Sequence, residues 1–122
     1  MTGNECFAAA MNLLNEQEEG YHYYQQFALG CLNQLLANCL REINALRTAQ
    51  QMEPLRIPPK LDSLDAEIPA DEAMLRECFP YGLAALLICD EDKNRFNWLG
   101  SEFAARLDYH CPASQFAIKE LY

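Results

Sequence analysis

Apolar residues recur at three- and four-residue steps through most of the chain, a spacing that predicts helices rather than strands. Phe7, Ala10, Met11 and Leu14 form the first stripe and predict a helix over about residues 4–15, with Thr2 and Glu5 at capping-box spacing and Asn4 as the alternative cap. Residues 17–20, Gln-Glu-Glu-Gly, read as the break after it. The longest stripe follows: Tyr24, Phe27, Ala28, Cys31, Leu32, Leu35, Leu36, Cys39, Ile43 and Leu46. It predicts one helix over about 21–51, starting at Tyr21 or Tyr24, with Asn33, Gln34, Asn38, Arg41, Glu42 and Asn44 largely on its other face. Such a helix would reach about 40 Å at about 1.5 Å per residue. Gly30 is its weak point and the place for a bend.

The periodicity fails over 52–68. Pro54, Pro58, Pro59 and Pro69 exclude a continuous helix, while Leu55, Ile57, Leu61, Leu64 and Ile68 predict a loop packed across the helices rather than a tether. Pro69 in a first helical position, with Asp71 and Glu72 behind it, predicts a helix over 69–89 carrying Leu75, Cys78, Phe79, Gly82, Leu83, Leu86 and Leu87. Pro80 lies inside that stretch and should bend or split it. Residues 83–89 are apolar on every side, so they must be covered by the rest of the domain or by a neighbouring subunit. Asp90, Glu91 and Asp92 open a last helix over 91–107 with Phe96, Leu99, Phe103 and Leu107 as its stripe and Trp98 beside it. A tail over 109–122 keeps Phe116, Ile118, Leu121 and Tyr122. The expected fold is all-α: a four-helix bundle-like single domain, 1–122, with one long central helix, a Pro-rich loop and a C-terminal tail.

Composition narrows the function. A chain of 122 residues that is 51% hydrophobic suits one domain with a core of its own. With 9 basic against 18 acidic residues the net charge is −9, which disfavours nucleic-acid backbones and anionic membrane surfaces. No basic, apolar leader is visible at the start and the longest apolar run is too short to span a bilayer. The six cysteines lie mostly on apolar faces and read as reduced, buried thiols, so the expected location is the cytoplasm, not the secreted space.

Candidate chemistry is thin. His22 and His110 are the only histidines. Glu19-x-x-His22 has the spacing used in di-iron bundles, but one such motif with Gly20 inside it falls short of a site. Asp90-x-Asp92-x-Asn94 opens like an EF-hand loop, yet Arg95 stands where the glycine belongs and Ser101 where the glutamate belongs. That cluster reads as charge at a helix N-terminus. No cysteine pair has Cys-x-x-Cys spacing, and Cys111 beside His110 lacks an orienting third group. No catalytic, cofactor or metal residues are assigned; a polar recess joining His22 or His110 to carboxylates would be the structural sign of an enzyme. The surplus is apolar instead. Leu83, Leu87, Ile88, Trp98, Phe116 and Tyr122 are the interaction candidates, alongside the tyrosines at 21, 23 and 24.

The order of elements resembles the head–tail connector (adaptor) proteins of tailed phages and prophages. The resemblance is carried by Ile57-Pro58-Pro59, Ser63-Leu64-Asp65 and Ile68-Pro69, and above all by residues 79–92, Phe-Pro-Tyr-Gly-Leu-Ala-Ala-Leu-Leu-Ile-Cys-Asp-Glu-Asp. It implies a non-enzymatic subunit that joins portal and tail components, in the host cytosol and then in the virion. The surplus apolar surface would then be subunit contact, the loop and tail would be arms, and the acidic charge would keep DNA from sticking in a channel. The partners implied are proteins, another copy or portal and tail components. The alternative is a bacterial cytosolic helical module that binds or regulates a protein partner.

Overall fold

Thr2 and Glu5 close the first helix as a capping box: the Thr2 hydroxyl accepts from the Glu5 N–H (3.1 Å) and the Glu5 carboxylate accepts from the Thr2 N–H (3.0 Å). The computed structural model describes residues 1–111. Within them it is all-helical, running α1 (Gly3–Leu13), α2 (Glu18–Asn38), α3 (Leu40–Ala49), α4 (Glu72–Leu87) and α5 (Lys93–His110). The remainder of the expected tail, with Phe116 and Tyr122, lies outside the described residues.

The expected long helix is two helices. The break falls at Cys39 (φ −99°, ψ 13°), after Asn38, a weak helix former, and α2 runs through Gly30 uninterrupted. Breaking there lets α3 pack beside Pro69, Ala70 and Asp71, where Gln50 donates to Asp71 Oδ1 (2.9 Å). Gly20 also sits inside α2 instead of ending α1. What ends α1 is Asn15, at φ 56°. The Glu16 N–H then reaches back to the Met11 carbonyl (3.0 Å) and the Asn15 N–H to the Asn12 carbonyl (3.2 Å).

Two further boundaries differ. α4 starts at Glu72, because Asp71 and not Pro69 provides the cap, accepting from the Met74 N–H (3.1 Å). α5 starts behind Asp92, which caps the Arg95 N–H (3.1 Å), and continues to His110. Pro80 neither splits nor ends α4. It removes one helical hydrogen bond, and burial of the surrounding turn outweighs that loss.

The central element is α4, not the long stripe. It packs against α1, α2 and α5, and nine of its sixteen residues are buried. Gly82 permits the closest approach: a Cβ there would stand 3.0 Å from Leu35 and 3.1 Å from the Phe103 ring. The apolar segment 83–85 is therefore covered by the domain itself.

The 52–71 connection is stitched down. Asn33 on α2 grips Leu61 at both backbone groups, accepting from its N–H (2.7 Å) and donating to its carbonyl (3.0 Å). Asn44 on α3 grips Leu55 in the same way (2.7 and 3.0 Å). The return limb lies along the start of α1, where the Gly3 and Asn4 N–H groups donate to the Ala66 and Leu64 carbonyls (3.2 and 2.8 Å). The first donors of α1 thus all find acceptors.

Candidate protein-docking surface

Among the described residues the exposed large apolar side chains are Tyr23 and Phe27 on α2, Trp98 and Tyr109 on α5, and Met52 and Ile57 in the connection. On α2, Tyr23 and Phe27 are one turn apart and 55% and 47% exposed, their rings edge-on at 5.6 Å. They wall a cleft of about 230 Å³ with Cys31, Leu86, Leu87 and Cys89, and Asp90 and Glu91 also line it. Beneath it the buried Tyr24 hydroxyl donates to Glu91 Oε2 (2.5 Å). Burial first, and then the Glu91 carboxylate, raise that phenol's pKa.

On α5, Trp98 is 57% exposed and its ring leans on Tyr81 (6.4 Å between centroids). The Arg106 guanidinium lies over the same tyrosine at 4.2 Å. A smaller recess of about 210 Å³ opens between Trp98, Leu99, Arg95, Asn94 and Leu13. Arg95 Nη2 is tied to the Leu14 carbonyl (2.8 Å), which joins α5 to the end of α1.

The sequence candidates divide accordingly. Leu87 lines the α2–α4 cleft and Trp98 the α5 recess. Leu83 and Ile88 are instead core residues, 0% and 3% exposed. Phe27, expected on the buried stripe, is on the surface. The buried positions of α2 are Tyr24, Ala28, Leu32, Leu35 and Leu36, and Cys39 just beyond them is buried too. Twelve residues of helix leave Phe27 roughly a third of a turn from Cys39. The Tyr23–Phe27–Cys31 row at four-residue steps is the signal that marks this flank.

The chemical candidates lie apart. Glu19 and His22 are exposed on α2, and Asp92 is occupied as a cap. His110 does share a recess with Glu77 and Glu102, but Arg106 pairs with both carboxylates (3.4 and 3.3 Å), and none of the hydrogen bonds found among the described residues joins His110 to either. The adjacent Cys111 turns inward, 1% exposed, and burial pushes its thiol up to about 11. Cys39 and Cys78, which interact electrostatically with it, are pushed up to about 12 by the same burial. Thiols so protonated are poor nucleophiles at neutral pH. Among the described residues no disulfide forms, no cluster of His, Cys, Asp or Glu could hold a metal ion, and no helix is long and apolar enough to cross a membrane. In comparisons with family models, curated proteins and solved structures, nothing matches this chain.

Proposed function

We propose that the chain is a non-enzymatic assembly protein that docks onto other proteins, and more specifically a head–tail connector subunit joining portal and tail components of a tailed phage or prophage. The observation that carries the docking reading is the pair of open aromatic faces, Tyr23–Phe27 and Tyr81–Trp98, where exposed rings stand beside a recess. Isolated exposed apolar residues are ordinary; aromatics grouped around a recess are what interface centres are built from. The connector reading rests on the likeness of residues 79–92. Half of that motif turns out to be packing: Phe79, Pro80, Gly82, Leu83, Ala84, Ala85 and Ile88 form the core side of α4 and its cap. Tyr81, Leu87, Asp90 and Glu91 border the two open faces. The working place of such a subunit is the host cytoplasm and then the particle.

The test begins with the genes that flank this one. Terminase, portal and capsid genes are expected there. The purified chain, mixed with the portal protein so encoded, should form a ring-shaped complex visible by electron microscopy, and Trp98→Asp should weaken it while leaving the fold intact. Flanking genes of another kind, with no portal complex, would remove the connector reading and favour a host regulatory module.

A further inference from the structure

We propose that the cleft between α2 and the end of α4 is a receptor for an amphipathic helix bearing basic residues on a partner protein. The inference rests on the docking reading above but not on the connector reading. Tyr23, Phe27 and Cys31 follow one another at four-residue steps along α2 and form one wall; Leu86, Leu87 and Cys89 form the other. From Tyr23 to Cys31 the wall rises eight residue steps, about 12 Å of helix. That length matches two turns of a guest helix, whose apolar anchors at i, i+4 and i+7 would follow the groove. The volume, about 230 Å³, suits two or three side chains rather than a whole small ligand.

Charge selects the guest. Both ionisable carboxylates on the cleft, Asp90 and Glu91, are acidic, and among the described residues no basic side chain lines it or pairs with either of them. They sit just past the C-terminus of α4, whose last turn carries no basic residue, so the helix carbonyls add to the negative potential. The whole chain contributes a net −9 in the same direction. A second copy, carrying the same −9, is the wrong sign for this site. A lysine or arginine at the end of the guest's apolar stripe has the right one.

The experiment is a selection of random peptides, each about 15 residues long so that a helix can form, displayed against the full chain and counter-selected against Phe27→Asp. Phe27 is already half exposed, so the variant should keep its melting temperature, which is checked first. Peptides retained by the native chain alone should carry apolar residues at helical spacing and a net positive charge. For one such peptide, Phe27→Ala should weaken binding about tenfold, and Asp90→Asn about threefold, an effect that shrinks as salt is raised. Tyr24 and Glu91 are left intact because their hydrogen bond belongs to the fold. Failure to recover Phe27-dependent peptides, or recovery of acidic ones, overturns the proposal. So does sedimentation showing a dimer that Phe27→Asp dissociates, since the occupant would then be a second copy. Phe27-dependent basic peptides without a portal complex would sink the connector reading alone, and a portal complex indifferent to Phe27→Asp without such peptides would sink this one alone.

Discussion

Gln51 closes α3 at φ 62°, a left-handed conformation in which a side chain crowds its own backbone. The surrounding bonds show why it is held there. The Met52 N–H donates to the Arg47 carbonyl (2.8 Å) and the Gln51 N–H to the Thr48 carbonyl (3.0 Å), so two carbonyls of the last turn gain partners. Glycine meets the same geometry without crowding, and Gln51→Gly should raise stability by about 0.5–1 kcal/mol in urea titration. A loss of stability there would mean that the Gln51 side chain makes contacts worth more than the strain. Gly3 presents the opposite case. A Cβ at Gly3 would stand 2.9 Å from the Leu64 Cα, which is backbone and cannot swing aside. Gly3→Ala should therefore cost about 1–3 kcal/mol, despite alanine's better helix propensity. Neither position announces itself in the sequence. Left-handed geometry at 51 depends on where α3 stops, and crowding at 3 depends on a loop some sixty residues away.

At the scale of elements, the polar face of the second stripe proves to be a fastening. Asn33 and Asn44 are eleven residues apart, close to three helical turns, and each replaces a strand partner for one leucine of the loop. Removing one amide side chain leaves a backbone N–H and carbonyl of a half-buried or buried leucine unpaired. Asn33→Ala should cost about 1–3 kcal/mol, and Asn44→Ala somewhat less because Leu55 is less buried than Leu61. Hydrogen exchange should accelerate at the Leu61 or Leu55 amide in the matching variant. Unchanged protection would show that the loop is held by its leucine side chains alone. The leucines themselves were legible, since an aliphatic every few residues predicted a packed loop. Their asparagine partners were not, because a polar residue on a solvent-side stripe reads the same whether it faces water or a neighbouring backbone. The break at Cys39 escaped for a similar reason. The apolar period continues across it, and only the demand for α3 to meet Pro69 to Asp71 turns the chain.

For the molecule as a whole, periodicity identified most of the buried positions, Phe27 excepted, but not which helix lies in the middle. α4 takes that place because it alone combines residues apolar on every side with a glycine at the point of closest approach. The same arrangement buries four thiols, Cys6, Cys39, Cys78 and Cys111, each 1% exposed or less. Burial pushes them from an ordinary 9.0 up to about 12, 12, 12 and 11 respectively. In the folded chain they hold their protons, whereas in the unfolded chain they lose them above about 9. The stability tied to them is therefore complete below pH 9 and falls as pH rises from 9 towards 11 or 12. Each thiol removes at most about 1.4 kcal/mol per pH unit, against a total stability of about 5–15 kcal/mol for a domain of this kind. The melting temperature should fall steeply between about pH 9 and about pH 11. A Cys31→Ser/Cys89→Ser variant lacks the half-buried and the exposed thiol. In it, thiolate absorbance near about 240 nm, corrected for tyrosinate followed at about 295 nm, should appear at the unfolding transition and not before it. Cys78→Ala should make the alkaline slope shallower by about one thiol's share, even as the cavity lowers stability at neutral pH. In the Cys31→Ser/Cys89→Ser variant, thiolate signal growing in near pH 9 while the helical signal persists would mean that the four remaining cysteines meet water in the native state, and that the core is not built around α4 in this way.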